Sequence, residues 1–329
     1  MRGAAKQARP PSQPAALEVV KSTLFAVGGG VPGSLSVSWL PPGRPGWIPV
    51  QCFVLRDGVD ALVLDCGLSV HTEQVAAGLS GALAGAGRPR LLVSRWEPDA
   101  MANLPWLMNQ FGITQVLSYG GINPLDFFES FEAAAAQSAA KAVASPTALV
   151  ALAIGDVVKV GRLRIEVLAT SLRLLLTNWF YEHTTQSLFT ADSFGLLSNK
   201  AAPCPFVARP TPGEISPAVL IDSLMPKFDW LAGAHCEALI ADLQAIQSRY
   251  PIKRICPTIG GVIEGHGAIV QLFHSTVSAL QQLSREPPPR ALAGFDWQRA
   301  LSPAAVVDVR SPERIPAALR QSDDVPAMS

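Results

Sequence analysis

One stretch restricts the fold of this chain more than any other: Leu91-Leu-Val-Ser-Arg-Trp-Glu-Pro-Asp-Ala100. Leu91 to Val93 is a short apolar run suited to a buried strand, and helical spacing of apolar residues follows from Met101 to Phe111. A strand running directly into a helix is the joint of layered α/β proteins, and such architectures place their chemistry on the turn between the two. Glu97 and Asp99 occupy that turn one residue apart, a pair suited to a hard cation. Arg95 and Ala100 flank them.

The rest of the first half supplies matching layers. Leu35 to Leu40 and Val50 to Leu55 read as strands around the turn PPGRPGWIP, and Asp57-Gly58 turns the chain into a strand at Ala61 to Leu64. Helical spacing from Thr72 to Leu83 precedes the central strand. A short strand at Gln115 to Ser118 and an Ala-rich helix from Pro124 to Val143 follow the helix begun at Met101. The second half opens with strands at Leu149 to Ala153, Val157 to Val160 and Leu163 to Ala169. Leu174 to Tyr181 and Ser187 to Thr190 then read as a hairpin. Helices at Pro217 to Leu224 and Cys236 to Ser248, a strand at Ile252 to Cys256 and a helix from Ala268 to Leu283 complete the order. The class is α/β: sheet, helices, sheet, helices.

Composition narrows the function. Lys plus Arg and Asp plus Glu both number 26 in 329 residues, which leaves no charge footprint for nucleic acid or an anionic membrane. No apolar run is long enough to span a bilayer. Residues 1–20 are basic, acid-poor at their start and rich in Pro and Ala, and read as a disordered leader; 21–285 read as the domain and 286–329 as a flexible Pro-rich tail. Cys52, Cys66, Cys204, Cys236 and Cys256 show no CxxC pairing, so buried reduced thiols in a cytoplasmic protein are expected. Ser94 and Ser187 lack His and acid partners at triad spacing, and Gly28-Gly-Gly30 precedes no helix, which argues against a phosphate loop.

With these elements placed, residues 35–283 resemble the metallo-β-lactamase fold, an αββα sandwich of two mixed sheets flanked by helices. The closest likeness is to the branch of flavodiiron proteins and oxygen-binding diiron proteins. The stretches Ala61-Leu-Val-Leu-Asp-Cys-Gly67, Leu91 to Phe111, Ser187 to Gly195, Leu224-Met-Pro-Lys-Phe228 and Ile255-Cys-Pro-Thr-Ile-Gly260 carry it together. Where hydrolases of the superfamily have His-x-His-x-Asp-His, the diiron branch has His-x-Glu-x-Asp-His, and this chain reads Arg95-Trp96-Glu97-Pro98-Asp99-Ala100. The resemblance therefore places Glu97, Asp99 and, in Leu-Phe-Thr-Ala-Asp, Asp192 on metal-ligand positions. It places Arg95, Ala100, Arg173 (eight residues before Tyr181) and Ile259 on the four histidine positions.

Three carboxylates without metal would repel or take up protons, whereas two guanidiniums can neutralise most of that charge and donate paired hydrogen bonds. The expectation is an internal salt-bridge cluster in which Arg95 and Arg173 stand in the space of two irons, with Trp96 lining a pocket beside it. Among the histidines, His71, His183, His235 and His274 read as structural, and His266 in Gly265-His-Gly267 is the one rival ligand. The resulting functional reading is a degenerate flavodiiron-like protein with no cofactor, acting as a binding or regulatory module. The partner expected is a second copy or a related subunit. The alternative is an oxidoreductase acting on oxygen or nitric oxide through a non-standard diiron centre, with flavin supplied by a separate reductase. A metal-dependent hydrolase is disfavoured, because Glu97 replaces the imidazole that such enzymes use.

Overall fold

The computed structural model describes residues 16–33, 46–120, 123–126, 128, 148–173, 176–195, 205 and 207–285. The chain divides after Glu286, and every described residue precedes that point. The strand expected at Leu35 to Leu40, most of the helix expected from Pro124, Cys204 and the Pro-rich segment lie outside the described residues.

The first sheet takes its strands in chain order: β1 (Ala16–Val20), β2 (Leu24–Pro32), β3 (Trp47–Asp57), β4 (Asp60–Leu64), β5 (Arg90–Val93), β6 (Gln115–Tyr119) and β7 (Ala148–Leu152). Its first four strands pair antiparallel and the last four parallel, with β4 belonging to both groups. Helices α1 (Thr72–Ala82), α2 (Pro98–Met101) and α3 (Leu104–Phe111) make the crossovers around β5. The second sheet has the order β12-β14-β13-β11-β10-β9-β8, built from β8 (Val157–Val160), β9 (Leu163–Leu168), β10 (Trp179–Glu182), β11 (Ser187–Phe189), β12 (Val207–Ala208), β13 (Arg254–Cys256) and β14 (Val262–Glu264). Helices α4 (Pro217–Leu224), α5 (Glu237–Arg249) and α6 (His266–Leu283) cover its outer face.

Period-two alternation sorts the side chains into layers. On β3, Phe53 and Leu55 point between the sheets, while Cys52 and Val54 point towards α1 and α3. Leu62 and Leu64 of β4 join the inner layer and Val63 the outer. From the second sheet, Ile165, Val167, Phe180 and Phe189 meet them. Phe53 and Phe189 pack edge to face across the gap at 5.2 Å and 72°, a contact worth about 0.5–1.5 kcal/mol beyond area burial. The layer order is therefore helix, sheet, sheet, helix, as the sequence implied.

Two boundaries differ from expectation. Residues 16–20, assigned to the leader, form edge strand β1 and pair with β2. Residues 24–32 form β2, whose three glycines conceal it from propensity. A Cβ on Gly28 would lie 2.2 Å from the Val50 carbonyl oxygen, and one on Gly29 would lie 2.4 Å from the His71 ring. Close approach, rather than a turn, requires glycine there.

Candidate functional site: an internal salt-bridge cluster

Strands β4, β5 and β11 and the turn after β13 all deliver chain to one end of the two sheets. The Asp65 carboxylate follows β4 and accepts from the Ser94 amide at 2.7 Å and the Ser94 hydroxyl at 2.6 Å. Residues 94–96 are then zipped to the segment before β10: Asn178 N donates to Ser94 O at 3.0 Å, Trp96 N donates to Leu176 O at 3.3 Å, and Arg95 bridges Thr177. The Arg95 side chain is thereby directed inward and is fully buried. On the facing side, Gln51 fixes the 257–260 turn by donating to Pro257 O at 2.9 Å and to Gly260 O at 2.8 Å. That turn presents the Thr258 hydroxyl to Arg95 Nη1 at 2.6 Å.

Around this frame lies a charge cluster. Arg95 Nη2 contacts Asp99 Oδ2, and Arg95 Nε lies 3.7 Å from Glu97 Oε2. Lys227 reaches in from the segment after α4, its Nζ bonding Glu97 Oε2 at 2.8 Å and contacting Asp192 Oδ2. The Lys227 side chain is 7% exposed and that of Asp192 1%. Buried ions persist only when paired this closely, because each has lost its hydration.

The three acidic positions expected from the sequence, Glu97, Asp99 and Asp192, are thus brought together with Arg95. Arg173 is not. Leu172 is fully buried whereas Ser171 and Arg173 on either side of it are exposed. The count of eight residues back from Tyr181 was the resemblance's spacing, and in this chain it falls on an exposed side chain. The second cation is Lys227, in the Leu224-Met-Pro-Lys-Phe228 stretch that carried the resemblance without being assigned a role. Its signal was a lone lysine in an apolar run, next to a carboxylate count that one arginine could not balance.

The remaining positions are structural. Ala100 is buried in α2, and Ile259 packs with Val31, Ile48 and Val50. Trp96 is half-buried and takes no part in the wall of the adjoining cavity. That cavity, between Asp192, Lys227, Phe194 and Ile259, measures about 20 Å³, room for about one water. His266 starts α6, far from the cluster along the strands, and His71 packs its buried ring on Gly29. Burial holds the His71 imidazole below its ordinary value, and it faces backbone rather than the acids.

A dinuclear metal centre does not fit these residues. Lys227 and Arg95 occupy the space between the acids and pair with one oxygen of each, and among the described residues no group of three His, Cys, Asp or Glu could hold an ion.

Burial pushes the Asp65 carboxyl up to about 6; the Arg95 guanidinium and the Ser94 hydrogen bonds pull it down, and the Asp192 carboxylate adds to the rise. A carboxyl raised on folding keeps its proton in the native state after the unfolded chain has lost it. Its contribution to stability therefore falls as pH rises from about 4 to about 6 and is constant above, a change on the order of 3 kcal/mol. Infrared titration should find a buried carboxyl with a midpoint about 6 that is absent from Asp65→Asn. A midpoint in the ordinary carboxylate range would refute this.

No protein-family model matches the sequence, and no curated protein matches it. Solved structures do match. Rubredoxin oxygen:oxidoreductase from Desulfovibrio gigas superposes with a TM-score of 0.57 at 14% identity, over 81% of this chain and 62% of its own. The flavodiiron protein from Giardia intestinalis gives 0.55 at 14% identity, over 82% of this chain and 59% of its own. A fragment of a putative diflavin flavoprotein from Nostoc gives 0.56 at 12% identity, over 82% of this chain and 95% of the fragment. This chain spans about three-fifths of the length of the first two. Among the described residues two seven-stranded sheets lie between helix layers, and their superposition on these proteins shows that this chain has the metallo-β-lactamase fold.

Proposed function

We propose that this protein acts by binding rather than by metal chemistry, as a regulatory or partner module in which a salt-bridge cluster has taken the place of a dinuclear centre. One observation carries the reading: the Lys227 ammonium lies between Glu97 and Asp192 while Arg95 holds Asp99, so most of the acidic charge is already balanced from within. Fixed cations cannot exchange ligands, accept electrons or activate water as a metal does. What they preserve is the scaffold, with its loops at one end of two sheets, where related architectures bind their ligands. The buried thiols Cys52, Cys66, Cys236 and Cys256 are free, in keeping with a reducing cytoplasmic setting. A second copy of the chain, or a related chain with intact histidines, is the partner that this reading favours.

Protein purified from iron-supplemented cells should carry far less than one iron per chain by elemental analysis. About two irons per chain would overturn the proposal and support the oxidoreductase alternative, since ligand affinity for metal is read directly in such material.

A further inference from the structure

A wide cavity lies at the other end of the second sheet. Strands β11 and β13 begin in register at Ser187 and Arg254, beside this crevice, and end towards Asp192 and Thr258 of the cluster. Its volume is about 850 Å³, within the range of small-molecule sites. It opens where β12 and β14 end and α6 begins.

Two features of its wall select a ligand class. The first is a pair of arginines held in place by one acid. Glu264 Oε1 accepts from Arg254 Nε at 2.7 Å, and Glu264 Oε2 accepts from Arg209 Nη2 at 3.0 Å. Arg254 is anchored again by Nη1 donating to Thr185 O at 2.8 Å. One carboxylate thus orients two guanidiniums and leaves a net positive charge, to which the exposed Lys253 on the same wall adds another. Arg249, at the rim, is balanced by Glu166 at 3.0 Å and contributes no excess. The second feature is apolar: Ile252 and Ile269 form a floor, and Val270 stands 41% exposed at its edge. The α6 N-terminus also faces the crevice. Its first turn holds no acidic residue and no side chain caps it, so the leading amides stay free for an acceptor.

We infer that this crevice binds a small molecule with an oxyanion head and a short apolar body, the head on Arg209, Arg254 and Lys253 and the body along Ile269 and Val270. Paired guanidiniums recognise carboxylate and phosphate alike, because both offer two oxygens to the planar fork. The site does not depend on how the acidic cluster is neutralised, and metal content at the cluster would not alter it.

Isothermal titration of the full-length protein with hexyl phosphate, hexanoate and hexanol tests the assignment. One of the two anions should bind saturably, one per chain, and the Arg209→Gln/Lys253→Gln double variant should weaken it about tenfold or more. Both side chains are exposed or at the surface, so the melting temperature should hold. Val270→Asp should weaken the same ligand through its apolar body. Tighter hexyl phosphate assigns a phosphoryl head, and tighter hexanoate a carboxylate. Absence of saturable binding by both anions, equal binding of hexanol, or affinity unchanged in the double variant would overturn the inference.

Discussion

Lys227→Met should lower the stability of the protein by about 3–5 kcal/mol, the cost of leaving one side of a buried ion pair without its partner. In a domain of this size that is a fall of roughly 10 °C in Tm. The methionine fills nearly the same volume, so the loss reports charge rather than a cavity. It strands Glu97 Oε2 and Asp192 Oδ2, both bonded to the ammonium in the native chain. Arg95→Leu should cost a similar amount through Asp99 and the Thr258 hydroxyl. Arg173→Leu should leave the melting curve unchanged, because that side chain is exposed. The decisive arm is a rescue. Adding Glu97→Gln and Asp192→Asn to Lys227→Met removes the stranded charges and should recover most of the loss. Thermal melts of the four variants beside the parent check this, and a Lys227→Met variant as stable as the parent would show that the cluster has another counter-charge.

The sequence was most readable where one physical pattern dominated. Val50 to Leu55 is almost wholly apolar and so reads as a strand buried on both faces, and the apolar run at Leu91 followed by acids marks a strand-to-helix turn without further information. It was least readable where tertiary contact overrides local preference. Gly28 and Gly29 look like loop residues until Val50 and His71 are seen pressing on them. The three-residue strand β14 follows Gly260-Gly261 too closely for a periodic signal. In the cluster, Arg95, Glu97 and Asp99 could be placed because all three sit on one turn with fixed spacing. Lys227 lies 130 residues from the Glu97 it pairs with, and the apolar run around it hints at burial without naming a partner. Arg173 failed for the same reason in reverse. Chemical logic demanded a second cation, but only the folded chain, with Arg173 exposed and Lys227 buried among the acids, shows which basic residue turns inward.

The same geometry sets the outcome of rebuilding the metal site. Arg95→His, Ala100→His, Arg173→His and Ile259→His together restore the imidazoles that the resemblance calls for, yet this variant should remain poor in iron while Lys227 is present. The ammonium sits between Asp192 and Glu97, bonded to one oxygen of each, and a divalent ion entering beside it would meet like charge within a few ångströms. The adjoining cavity has room for about one water and none for two ions. Arg173→His also begins from a side chain that faces solvent, so at most three of the four imidazoles start near the cluster. Removing the lysine as well, with Lys227→Ala, frees two carboxylate oxygens and the volume of the side chain together. Iron uptake should then rise from near zero towards one or two per chain, measured by elemental analysis of protein loaded anaerobically with ferrous iron. Full loading with Lys227 retained would show that the cation yields to metal, and that arginine and alanine at the histidine positions, rather than lysine among the acids, keep this fold from holding iron.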